Sequence, residues 1–176
     1  PQELPITKQF FAELILEMHC DAVLNAGLSG GIKDVAREDI IAGSEYCECD
    51  MDLTAVGFAK GEKPGSQRVV PADEKLLLSA RSVKGIKTGR LGTGDLFLSD
   101  KALKAQFSKE FAVNAFDMES AAAAGVCLRY DIPFSSVRKI SEDAENGAEQ
   151  YREMNERCEL DLTAVIFDVA EKYITL

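Results

Sequence analysis

The chain has 176 residues, 46% of them hydrophobic, so it holds apolar material for one sizeable core and its length favours a single domain over residues 1–176. A formal net charge of −10 and a pI near 4.7 repel phosphate backbones and anionic lipid, and no basic stripe offsets this, which argues against nucleic acid and membrane surfaces as partners. No apolar stretch approaches the ~20 residues that span a bilayer and no segment reads as a secretory leader, so a cytoplasmic location is expected.

The cysteines, Cys20, Cys47, Cys49, Cys127 and Cys158, are odd in number and scattered, which suits a reducing compartment better than a disulfide framework. Cys47 and Cys49 fall on one face of a strand, but no second pair joins them at ligand spacing, so no metal is expected. His19 is the only histidine and sits near the end of a predicted helix. Nucleophile schemes built on histidine therefore have little support.

In chain order, Phe10, Phe11, Leu14, Ile15 and Met18 recur with a helical period and predict a helix over 7–20. Residues 21–26 read as a short buried strand running into a glycine-rich turn, Gly27-Leu28-Ser29-Gly30-Gly31. A strand over 39–49 and a loop over 50–65 follow, then a helix over 72–82 that begins after Pro71. A strand over 84–92 ends at Gly92-Thr93-Gly94-Asp95, and Ser99-Asp100 caps a helix to about Phe107. Alanine content predicts helix over 117–130, broken by Asp131-Ile132-Pro133, with a strand over 134–140 and a last helix over about 150–173 that covers a sheet. Strands alternating with helices predict an α/β fold, a three-layer α/β/α arrangement with a mixed, largely parallel central sheet.

In such folds ligands gather at the carboxyl ends of strands. Three segments fall there: the turn at 27–31, the stretch Thr93 to Leu98, and Ser141-Glu142-Asp143, with Glu119 beside them at a helix start. None is a Walker A or a G-x-G-x-x-G fingerprint. An acidic, glycine-lined pocket without a dedicated cation suits a neutral ligand rich in hydroxyls, because carboxylates accept hydrogen bonds from vicinal hydroxyls. A ribose fits.

Taken singly, each segment has a plainer reading. Met118 and Phe97 would be core residues, Glu142-Asp143 a helix-starting pair, Glu119 a partner of a helix dipole, and the glycines a tight turn. Together, Asn25 to Gly31, Asp52-Leu53-Thr54-Ala55-Val56-Gly57-Phe58, Thr93 to Leu98, Asp117-Met118-Glu119 and Val137-Arg138-Lys139-Ile140-Ser141 resemble the nucleoside phosphorylase and nucleosidase superfamily. The likeness is greatest to the bacterial 5′-methylthioadenosine/S-adenosylhomocysteine nucleosidases, and the segments lie in the family's order.

The resemblance implies hydrolysis of an N-glycosidic bond with release of adenine, without metal or organic cofactor. It places Asp117, Met118 and Glu119 on the ribose, with Glu119 gripping the 2′ and 3′ hydroxyls. Phe97 and Leu98 stack on the purine and read its edge, and Ser29 and Gly30 line the ribose side. Arg138 orients the site carboxylates, and Ser141 with the next acid stands where the purine N7 is protonated. Glu142 falls at that position, where the family has an aspartate, and Asp143 is its neighbour and rival. Leu28 stands where the nucleosidases place a serine, and the sequence begins after the strands with which family members start. Family members pair so that the loop matching 52–64 approaches the neighbour's pocket, so a homodimer is the expected assembly. Two other readings stay open at this point: a phosphorylase that uses phosphate in place of water, and a catalytically silent relative that binds nucleosides or serves as a storage protein.

Overall fold

The computed structural model describes residues 6–142, 147–155 and 158–176. It contains six strands, β1 (Val23–Gly31), β2 (Ile40–Glu48), β3 (Val70–Pro71), β4 (Ile86–Thr93), β5 (Ala115–Asp117) and β6 (Phe134–Glu142). Among the described residues, α1 (Ile6–Met18) precedes the strands, and α2 (Glu74–Ser82), α3 (Lys101–Phe111), α4 (Ser120–Arg129), α5 (Gly147–Asn155) and α6 (Cys158–Thr175) lie between and after them, with a short 3-10 turn at Thr54–Val56. The strands order as β3-β2-β4-β5-β1-β6, with parallel pairing of β1 to β6, β2 to β4 and β4 to β5. The β1–β5, β2–β3 and β2–β6 pairings are antiparallel.

The mixed α/β sheet agrees with the sequence, but the three-layer arrangement does not hold. Residues 40–42 of β2 pair with 137–139 of β6, so the sheet curls until its two sides meet and closes into a barrel. Hydrophobic pattern alone does not distinguish a flat buried sheet from a closed one, because both bury each strand on two faces.

Most helix boundaries follow from local chemistry. Asp73 caps α2 by accepting from the Leu76 amide at 2.8 Å, and Asp100 caps α3 by accepting from Leu103 at 2.7 Å. Pro71 does not open α2; it lies in the edge strand β3, where a missing N–H costs little. The helix expected over 117–130 begins at Ser120, because Asp117 ends β5. The last predicted helix is replaced by α5, which packs on β6, and α6, which packs on α2 and β1.

The largest departure is at 27–31, which is strand and not turn. β1 continues through these residues in parallel register with β6, pairing Gly27 with Arg138 and Gly30 with Glu142 across a register shift between Ser29 and Gly30 that skips Ser141 of β6. The glycines are present because charged side chains on β6 occupy their space. A Cβ at Gly27 would overlap the Arg138 guanidinium, and one at Gly30 would overlap the Glu142 carboxylate.

Phe11 and Ile15 of α1 with Ala123, Ala124 and Cys127 of α4 pack against Tyr46, Leu91 and Phe134 of the sheet. Ala80 of α2 with Leu162 and Val169 of α6 cover Ala42 and Val137 elsewhere on it. Tyr46 is fully buried, its ring edge-on to Phe134 at 5.1 Å, and its hydroxyl donates to the Gly43 carbonyl at 3.0 Å and accepts from the Ser136 amide at 2.9 Å. That hydroxyl joins β2 to β6 near the closing pairs. Tyr46→Phe leaves both buried partners short of a bond, and is expected to lower stability by about 1–3 kcal/mol in urea unfolding with an unchanged dependence on denaturant.

Candidate active site

The ends of β1, β4, β5 and β6 converge on a cavity of about 410 Å³. Gly27 to Gly30, Leu96 to Leu98, Phe116 to Glu119, Arg138, Ser141 and Glu142 line it, with Tyr151 and Asn155 from α5. Ser29, Gly30, Phe97, Leu98, Asp117 to Glu119, Arg138, Ser141 and Glu142 are in this lining, whereas Gly31 and Thr93 to Asp95 are not, and Asp143 lies outside the described residues.

Arg138 organises one side. Its guanidinium is buried, with Nε 3.0 Å from Asp117 Oδ2 and 2.9 Å from Ser136 Oγ. Nη2 donates to Ser120 Oγ at 2.9 Å and to Asn25 Oδ1, and Nη1 stands 3.3 Å from Glu119 Oε2. Asp117 answers it and also starts α4: its Oδ1 accepts from the Glu119 amide at 3.1 Å, the Ser120 amide at 2.9 Å and the Thr93 hydroxyl at 2.8 Å. A carboxylate at a helix N-terminus satisfies amides that would otherwise be orphaned. Thr93 in turn accepts from the Ala121 amide at 2.9 Å.

Glu119 is thereby held at the first turn of α4 with its side chain 44% exposed. Burial pushes its carboxyl above the ordinary value, Arg138 offsets part of that, and the Asp117 charge adds to it. Glu119 lines the cavity with one carboxylate oxygen held by Arg138.

Glu142 is in a different environment. Its side chain is 2% exposed, and Lys104 Nζ donates to its two oxygens at 2.7 and 2.8 Å. Ser141 Oγ donates to the Ser29 carbonyl at 3.2 Å, while Ser29 Oγ is buried with no hydrogen-bond partner among the described residues. Leu98 is buried, whereas Phe97 and Met118 are exposed at the cavity, and the Phe97 ring meets Tyr151 edge-on at 5.6 Å.

Sequence reasoning missed Asn25, Ser120, Ser136, Lys104 and Tyr151 as site residues. Ser120 and Ser136 are small polar residues in apolar segments, a pattern that marks satisfied buried polar groups. Lys104 and Tyr151 carry no such signal, since each reads as the polar face of a helix.

A family model described as the phosphorylase superfamily matches residues 7–174. The chain belongs to that superfamily. It is 37% identical over 134 residues to the 5′-methylthioadenosine/S-adenosylhomocysteine nucleosidase of Actinobacillus succinogenes, covering 72% of this chain and 58% of that protein. It is 34% identical over 153 residues to the nucleosidase of the same name from Shewanella pealeana, covering 81% and 66%. The chain thus spans less than two thirds of the length of these relatives. Among solved structures, the Colwellia psychrerythraea nucleosidase in complex with adenine superposes with a TM-score of 0.86 at 27% identity, over 95% of this chain and 73% of that one. Futalosine hydrolase of Helicobacter pylori shares the fold with a TM-score of 0.90 at 24% identity, over 94% and 74%.

The raised Glu119 carboxyl has a consequence for stability. A carboxyl whose folded value lies above its unfolded value binds more protons when folded, so folding loses stability as pH rises from the ordinary carboxylate range through the raised value. Glu119→Gln is therefore expected to melt no lower than the parent at pH 7, and its advantage should shrink as pH falls toward the ordinary value of 4.5. A calorimetric melting series over pH 4–7 measures this.

Proposed function

We propose that this chain hydrolyses the N-glycosidic bond of 5′-methylthioadenosine and S-adenosylhomocysteine type nucleosides, releasing adenine. The observation that supports this most is the pairing of Glu119 with a buried Arg138–Asp117 network on the same cavity as the buried carboxylate Glu142. Cleavage of such a bond builds positive charge on the ribosyl carbon and negative charge on the departing base. The site has a distinct acidic group for each.

In this reading Glu119 accepts from the 2′ and 3′ hydroxyls of the ribose and stabilises the developing cation beside it. Arg138 and Asp117 fix its direction, so little reorganisation is needed as charge develops. Met118 lies against the sugar, the unpartnered Ser29 hydroxyl is available to a ligand oxygen, and Gly30 leaves room for it. The exposed Phe97 ring offers a face to the purine, and Leu98 with Ser141 completes the base side. Glu142, favoured over Asp143 by the phase of the strand through Arg138 and Ser141, is the acid for the base nitrogen, and it lines the cavity.

We further propose that residues 1–176 act as one domain, that the chain works in the cytoplasm, and that it pairs with a second copy. The last is supported by the exposed large apolar side chains Phe10, Leu16 and Met18 of α1 and Leu128 and Tyr130 at the end of α4. Four cysteines, Cys20, Cys47, Cys49 and Cys127, are free thiols, as suits a reducing compartment. No described helix is long and apolar enough to cross a membrane.

Two measurements test the reading. Incubated with methylthioadenosine, the protein should release free adenine and methylthioribose at a rate independent of phosphate; the appearance of a ribose-1-phosphate product sinks the hydrolase. Glu119→Gln should keep the fold and lower kcat on the order of 10²-fold, since it removes charge stabilisation needed chiefly in the transition state. A variant that turns over like the parent removes Glu119 from the ribose.

A further inference from the structure

The Lys104–Glu142 pair is built into the wall of the cavity. Lys104 comes from the first turn of α3, and its Nζ donates to both Glu142 oxygens and to the Gly31 carbonyl at 3.1 Å. The two side chains are 7% and 2% exposed. The niche is shaped for this carboxylate: a Cβ at Gly30 would overlap Oε1, and one at Gly147 would come within 3.0 Å of Oε2.

Burying an ammonium and a carboxylate together is a poor way to gain stability, since apolar residues of similar volume serve packing as well or better. The placement has another feature. Glu142 lines the nucleoside-sized cavity, and Lys104 lines a second, open cavity of about 490 Å³ along α3, among Lys33, Lys101 and Lys109. The ion pair therefore bridges the wall between the two.

We propose that Lys104 acts through Glu142 as the positioning residue of the acid and supplies the proton that the leaving base takes up. This inference rests on the nucleosidase reading given above. As the bond from the ribosyl carbon to nitrogen breaks, its electron pair passes to the base. Lys104 Nζ gives a proton to a Glu142 oxygen, which passes it on to the base nitrogen, while water adds to the ribosyl carbon and releases its own proton to solvent. Glu142 ends as the carboxylate it began as, Lys104 becomes a neutral amine, and the base leaves neutral. The positive charge lost from Lys104 equals the negative charge cancelled on the base. Lys104 regains its proton from water in the second cavity.

The pair thus differs from a lone carboxyl, in which one group both aims and supplies the proton. Two variants separate proton supply from mere charge. Lys104→Arg keeps a cation and donors for Glu142 but does not release its proton at neutral pH. It should retain a cooperative melt, with adenine affinity and KM within about threefold of the parent and kcat lower by about 10²-fold or more. Lys104→Ala opens the niche from the second cavity; added ethylamine should raise its kcat at least about tenfold, while guanidinium at the same concentration should not.

A Lys104→Arg protein with kcat within about threefold of the parent overturns the proposal, as does equal rescue of Lys104→Ala by guanidinium. If Lys104→Arg loses its cooperative melt, the amine comparison decides alone. A parent chain that cleaves no methylthioadenosine fails the nucleosidase reading itself, and does so before Lys104 is altered.

Discussion

The buried guanidinium of Arg138 is the constraint on which the rest of the site depends. An unpaired charge in that position would be prohibitive, so the surrounding elements must meet it with acceptors. Asp117 at the end of β5 supplies the countercharge, Asn25 on β1 and Ser136 on β6 supply neutral acceptors, and Ser120 ties it to the first turn of α4. Four elements are thereby registered against one side chain. Gly27 has no side chain because the guanidinium lies across it, so even the composition of β1 answers to Arg138.

The placement of the cavity follows from pairing geometry. The β1–β6 pair runs antiparallel to the β4–β5 pair, and the cavity lies where residues 27–30 of β1 and the end of β6 meet β5 across the β1–β5 pairing. The irregularity between Ser29 and Gly30, which skips Ser141 of β6, shifts the register so that Gly30 faces Glu142, and the β2–β6 pairing closes the sheet. Tyr46 braces that closure from within. The end of β6 thus holds Glu142 and the start of α4 holds Glu119, while the rim comes from α5 and the segment after β4.

The two acidic side chains at the cavity are set apart by their surroundings. Glu119 is partly open to solvent, with burial and Arg138 pulling its proton affinity in opposite directions. Glu142 is enclosed and paired with an ammonium. Environments that differ this much allow two carboxylates to take different parts in one reaction, one meeting positive charge and the other supplying a proton. The same division is consistent with the polarity of N-glycosidic cleavage.

Much of this was legible in the residues. Element type follows from periodicity and capping, and Asp73 and Asp100 cap helices by purely local hydrogen bonds. The motif order singled out Glu119, Arg138, Ser141, Glu142 and the segment of Phe97 because strand ends are marked by glycine and acidic residues whatever the packing. Three features were decided only in three dimensions. The glycines at 27–31 read as a turn, since nothing in a single strand announces that a neighbour's arginine and glutamate will occupy the missing side chains. The sheet read as an open layer, since closure depends on twist accumulated over five strands. Lys104 read as a helix surface, since its partner is 38 residues away and only the folded chain brings its ammonium from α3 to the Gly31 carbonyl and the Glu142 carboxylate. Local sequence specifies what each segment prefers to be; charge pairs across such separations exist only once the chain has folded around them.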